Sequence, residues 1–181
     1  MTQTELETII HQVASQSHLS SDDIPDLDLY IDQIITLFDQ KLENNKRYED
    51  DKLLTKTMVN NYSKAKVITP IKGKKYSKEQ IISMLMIYQL KNSLTIQEIK
   101  QLLTPYYQEN ISLENIYNQF YQIQDKQQDE LPQFIHQYLK DYQLPLNNQE
   151  DLLILVLSLA SLNDQITRII QLILDHLEES K

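Results

Sequence analysis

Residues 52–78 read KLLTKTMVNNYSKAKVITPIKGKKYSK, a stretch with eight lysines and neither Asp nor Glu. Both flanks are acidic: residues 1–51 hold 3 basic residues against 12 acidic ones, and residues 79–181 hold 6 against 14. A net charge of −9 over 181 residues therefore conceals a local +8. The stretch also changes character along its length. Leu54, Met58, Val59 and Ala65 alternate with polar residues at helical spacing, which predicts a short helix over 54–65. Beyond it, Pro70 restricts Thr69 to extended geometry, and Gly73, the single glycine of the chain, is free to take positive φ. The expected form of 70–76 is a two-stranded wing with Lys72, Lys74 and Lys75 at its tip.

Outside this stretch the pattern is helical throughout. Leu6, Ile9, Ile10 and Val13 mark a first helix. A second, after Pro25, carries Ile34, Ile35, Phe38 and Leu42 on one face. Ser77 with Gln80, and Thr95 with Glu98, stand at capping-box spacing and predict two helix starts. Pro105 is expected to stop the second of these, and Pro132 to restart a helix that begins near Ser112. A last helix over about 148–178 has an apolar surface wider than one stripe, and is expected to be either a central core helix or a dimer seam. Its most apolar run is interrupted by Ser158 and Ser161 and is too short for a bilayer, so burial inside the protein is expected. The fold class is all-α with a small β wing, divided as 1–24 (helix and linker), 25–105 (the basic unit) and 106–181 (a C-terminal helical bundle).

Several chemistries are excluded by composition. Without cysteine there is neither a disulfide framework nor a thiolate metal site, and the four histidines are scattered. No metal or cofactor is expected. One glycine is too few for a phosphate-cradling loop, and no nucleophile elbow or paired catalytic acids occur, so an enzyme is not expected. Asp22, Asp23, Asp26 and Asp28 lack the spacing of a calcium loop and read as helix caps. Tyrosines such as Tyr106, Tyr107, Tyr117 and Tyr138 recur at helical spacing and read as packing groups rather than the lining of an effector pocket. The first twenty residues lack a positive flank and an apolar core, so no signal peptide is read there and the expected location is the cytoplasm.

The basic stretch fits duplex DNA. Lysines grouped on one surface offset phosphate charge, and acids there would repel it. Thr55, Lys56, Thr57, Asn60, Asn61, Tyr62 and Lys64 are the residues of the short helix expected to face a groove, with Asn60 and Asn61 able to read adenine edges. Lys66, Lys72, Lys74, Lys75 and Tyr76 complete the expected contact set. The other reading is a protein-interaction module whose basic strip meets an acidic partner, even the acidic flank of a second copy.

The runs Thr57-Met58-Val59-Asn60-Asn61-Tyr62, Val67-Ile68-Thr69-Pro70, Lys74-Lys75-Tyr76-Ser77 and Ile96-Gln97-Glu98-Ile99-Lys100-Gln101-Leu102-Leu103 resemble, in order and spacing, the DNA-binding domain of MerR-type regulators. With Leu29-Tyr30-Ile31-Asp32-Gln33 included, the chain more closely resembles the domain of unknown function 1836 family, regarded as MerR-like. The resemblance covers about 25–105. It implies a winged helix-turn-helix that binds DNA and regulates transcription, and MerR-type readers act as homodimers; here the C-terminal helices are expected to build the dimer. Val59 stands where the family has an arginine, and no glycine occurs among Lys64, Ala65 and Lys66, where the family has its turn glycine. The absence of cysteine sets the chain apart from metal-sensing members.

Overall fold

A computed structural model describes residues 1–71, 73–109 and 111–179. The protein is mainly helical with one small antiparallel sheet, as the composition leads one to expect. It forms two compact units, one of residues 17–123 and one of residues 1–16 with 124–181.

The larger unit begins with β1 (Leu29–Tyr30), α2 (Ile31–Lys41) and α3 (Lys56–Lys64). It continues with β2 (Lys75–Tyr76), α4 (Lys78–Leu90), α5 (Ile96–Gln108) and the first turns of α6 (Leu113–Asp141). Its centre is α4, where every residue from Gln80 to Ile87 is buried. That burial follows from the run Ile81-Ile82-Ser83-Met84-Leu85-Met86-Ile87, which is apolar almost all round and has no face to offer water. Also buried in this unit are Ile34 and Phe38 of α2, Val59 of α3, and Ile99 and Leu103 of α5. The Phe38 ring meets Tyr88 edge-on with centroids 6.4 Å apart. Tyr117 of α6 is also buried, and its hydroxyl donates to the Leu19 carbonyl at 2.6 Å, which ties α6 to the segment before α2. Burial pushes that phenol well above its ordinary range.

Both expected capping boxes are present. The Ser77 amide donates to Gln80 Oε1 at 2.9 Å, and the Thr95 amide to Glu98 Oε2 at 2.6 Å. The Thr95 hydroxyl and amide together hold the Glu98 carboxyl below its usual range. The two expected proline breaks do not occur. Pro105 lies inside α5, which runs on to Gln108, and Pro132 lies inside α6, a single helix of 29 residues. A proline removes one amide donor and crowds the preceding turn, a cost of about 3 kcal/mol that surrounding structure can offset. At Pro105 the offset is visible: the Tyr107 hydroxyl lies 3.0 Å from both the Val67 carbonyl and Ser83 Oγ, anchoring the final turn of α5.

The sheet differs from a simple hairpin wing. Among the described residues the basic stretch supplies one strand, β2, whose partner is β1, with Leu29 opposite Tyr76 and Tyr30 opposite Lys75. Two-residue strands carry no alternation that sequence periodicity could register.

The second unit contains α1 (Gln3–Ala14), the later part of α6, and α7 (Gln149–Glu179). Its buried apolar residues, among those described, are Leu6, Ile10, Leu155 and Leu174. His136 Nε2 lies 2.8 Å from Glu7 Oε1, joining α6 to α1. The last helix is therefore not a core helix: only Leu155 and Leu174 of α7 are buried. By length and composition α7 is also a candidate membrane span, with mean hydropathy 1.4 over its most apolar window.

Candidate nucleic-acid interface

The hydroxyl of Thr55 starts α3 by accepting from the Met58 amide at 3.1 Å. Thr55 is thus a half-buried cap just outside the helix, rather than a group free to reach a groove. Val59 is fully buried and Met58 partly so, which fixes the orientation of the helix about its axis. The opposite side carries Lys56, Thr57, Asn60, Asn61 and Lys64, all exposed. At 100° per residue these five span about 140° of one face, wide enough for a groove-reading surface. Tyr62 is half-buried, and that burial raises its phenol above the ordinary value, so its ring belongs partly to the packing. Position 59 faces the core, so valine there is what burial requires.

Lys66 ends α3 in an unusual way. Its φ is +57°, its amide donates to the Ser63 carbonyl at 3.0 Å, and the Val67 amide donates to the Tyr62 carbonyl at 3.0 Å. These two bonds form a Schellman motif, in which the left-handed position is normally glycine. A lysine there costs about 1 kcal/mol. It also leaves an exposed cation directly after the exposed polar face of α3. Lys66→Gly is expected to stabilise the fold by up to about 1 kcal/mol while weakening DNA binding several-fold. Urea unfolding and DNA titration of the same variant check both signs, and a loss of stability with unchanged DNA affinity would contradict the assignment.

After Val67 and Ile68, both buried, the chain is held by Gln80. Its Nε2 donates to the carbonyls of Thr69 at 2.9 Å and Pro70 at 3.2 Å, so a side chain from α4 sets the course of the segment. Gly73 takes φ +75° as expected, with open space around it. Lys74 and Lys75 are exposed. Lys72, expected at the wing tip, lies outside the described residues. Tyr76 is only 6% exposed and sits in the core, so it anchors β2 and is not placed to touch a duplex.

The two basic elements meet at the head of α2. Lys75 Nζ lies 5.0 Å from the centroid of the Tyr30 ring, and Lys56 Nζ lies 2.6 Å from Asp32 Oδ1. Tyr30 is the N-cap of α2 and Asp32 sits in its first turn, so residues two apart hold the wing strand and the start of α3. Sequence reading assigned neither residue a part in the site. Tyr30 and Asp32 lie in a motif that carried only the resemblance, and the pairing is long-range. Not all eight lysines are equally available: Lys78 bonds Glu114 at 2.9 Å and Asp26 at 3.4 Å, and Glu114 first, then Asp26, holds its ammonium above the usual range. Among the described residues no ion pair involves Lys52, Lys64, Lys66, Lys74 or Lys75.

The Lys56–Asp32 pair is solvent-exposed on both sides and contributes little to stability. Its carboxylate is an acid set against the exposed polar face of α3. Asp32→Ala is expected to leave the unfolding midpoint almost unchanged and to raise DNA affinity about threefold, read as the dissociation constant at low salt. A weaker affinity would mean that Asp32 positions Lys56 rather than competing for it.

Groups of His, Cys, Asp and Glu suited to a metal ion are absent among the described residues. Neither a curated protein nor a solved structure matches the chain. The family model described as "Domain of unknown function (DUF1836)" matches residues 19–120, more than half of the chain and almost the whole of the larger unit. The chain belongs to that family.

Proposed function

We propose that this protein is a DNA-binding transcriptional regulator of MerR-like winged helix-turn-helix type, acting in the cytoplasm and without catalytic activity of its own. The observation that carries the reading is the exposed face of α3, where Lys56, Thr57, Asn60, Asn61 and Lys64 lie together in a stretch without acids. Lysines supply attraction to phosphate that carries no sequence information, whereas Asn60 and Asn61 have the bidentate amides that discriminate adenine. The basic β2 segment lies at the same end of α2 and supplies a second set of phosphate contacts through Lys74 and Lys75. Selection from a random duplex library tests this directly. A shared motif is expected to emerge with the wild-type protein and to lose definition at one or two positions with Asn60→Ala and Asn61→Ala. Fragments no more enriched than the input library would defeat the reading.

A further inference from the structure

The unit that carries none of the basic stretch has a cleft of its own, between the start of α1, the end of α6 and the connection from α6 to α7. Its volume is about 730 Å³, within the range of about 300–1,000 Å³ in which small-molecule sites fall. The residues that line it all belong to 1–16 or 124–181, so the first and last parts of the chain build it together. Apolar groups meet there from all three elements: Leu6 of α1, which is buried, Leu139 of α6, and Leu144, Pro145 and Leu146 of the connection. Glu7, His136 and Lys140 supply its ionisable side chains. Glu7 is already engaged, because its two carboxylate oxygens lie 2.8 and 2.9 Å from His136 Nε2. Lys140 differs: it is exposed, and among the described residues no ion pair involves it.

One wall of the cleft is held in a conformation that its side chains disfavour. Gln143 and Leu146 take φ of +51° and +55°. At Gln143 the end of α6 accounts for this, since the Gln143 amide donates to the Lys140 carbonyl at 3.2 Å and the Leu144 amide to the Leu139 carbonyl at 3.0 Å. Leu146 stands outside that motif. The cap of the next helix lies two residues further on, where Asn148 Oδ1 accepts from the Asp151 amide at 2.8 Å. A leucine in the left-handed region is strained, and such strain gathers at ligand sites, where it aims a side chain that an easier backbone would turn away. The Leu146 side chain is half-buried and lines the cleft.

We propose that this cleft binds an amphipathic organic anion, a free carboxylate on an aliphatic chain, with the carboxylate at Lys140 and the chain against Leu6, Leu139 and Leu146. The lining decides the class. An ammonium head would have to displace His136 from Glu7, whereas an anion meets a cation that is not already paired. A ligand that is polar throughout would leave the leucine wall in water, and one without charge would make no use of Lys140. A phospholipid presents the same pairing of anion and chain, so the experiment separates the two sources.

The test is calorimetric titration of the full-length protein with decanoate below its micelle threshold. No DNA is present, so the outcome is independent of the proposed DNA binding. Saturable binding at one site per chain is expected, with decyltrimethylammonium binding more weakly. Lys140→Glu, at an exposed position, is expected to keep the fold and to weaken decanoate about tenfold. Leu146→Gly relaxes the turn while removing part of the wall, and is expected to weaken decanoate several-fold with no loss of stability. Nuclear magnetic resonance locates the site: of the four histidines, His136 is the one that lines the cleft, and its imidazole signals are expected to move on adding decanoate while those of His11 and His176 stay. No saturable binding of decanoate, equal affinity for decyltrimethylammonium, a folded Lys140→Glu that binds as the wild type does, or unmoved His136 signals would each overturn the proposal. So would transfer of the protein onto phosphatidylglycerol vesicles that Lys140→Glu abolishes, which would assign the cleft to a lipid headgroup.

Discussion

Replacing Lys74 and Lys75 together by glutamate is expected to lower affinity for mixed-sequence duplex DNA about 100-fold at about 50 mM salt. Each lysine that neutralises a phosphate releases roughly one condensed counterion, and the entropy gained is greatest at low salt. Loss of two contacts should reduce the slope of log affinity against log salt by about two, and reversed charges add repulsion. The two positions differ in their surroundings. Lys74 is exposed beside Gly73, and among the described residues it enters no ion pair. Lys75 lies over the Tyr30 ring, so its replacement also removes a contact worth about 0.5–1 kcal/mol. Circular dichroism and urea unfolding of the double variant separate the two effects. Native unfolding with a hundredfold weaker complex is the expected pair of results. Native unfolding with unchanged affinity would remove the β2 segment from the interface.

The largest effect on stability is expected from Phe38→Ala, at about 3–5 kcal/mol. Phe38 is fully buried in α2 and meets Tyr88 of α4 edge-on. Removing the ring leaves a cavity bordered by helices that cannot close around it, because α2 is also tied to β1 and α3. Such a loss is a large part of the 5–15 kcal/mol that holds a typical domain folded. With a urea dependence of about 2 kcal/mol per molar, the midpoint should fall by about 2 M. A fall below about 0.5 M would mean that α2 does not organise the larger unit. The same variant should bind DNA poorly near its midpoint, because the head of α2 holds both Lys56 and Lys75.

Local chemistry was readable from the sequence, and long-range chemistry was not. The starts of α4 and α5 follow from Ser77, Gln80, Thr95 and Glu98, since a capping box is complete within four residues. The positive φ of Gly73 followed from its lack of Cβ. The polar face of α3 followed from helical spacing once Val59 was placed in the core. By contrast, β2 pairs with a strand far upstream, and two residues on each side leave no pattern to detect. Tyr76 is an aromatic in a basic run, and only the pairing with Leu29 turns it inward to the core. Lys66 shows a different limit: a left-handed helix end was not expected at a lysine, although the hydrogen bonds around it are those of a glycine terminus. The prolines misled for an energetic reason. Their local cost is real, but at Pro105 the bonds of Tyr107 to Val67 and Ser83 help to offset it. In α7 the apolar pattern was visible, but the choice between self-burial and an outer seam depends on how little of the chain lies against it.

The most direct measurement is fluorescence anisotropy of a labelled mixed-sequence duplex titrated with the full-length protein at several salt concentrations. Lys56, Lys64, Lys66, Lys74 and Lys75 are the exposed lysines of the proposed interface. If four or five of them meet phosphates, log affinity falls linearly with log salt with a slope of about −4. Tight binding at low salt with that slope is the predicted result. No change in anisotropy at about 50 mM salt with micromolar protein would contradict the reading of this surface as a DNA interface.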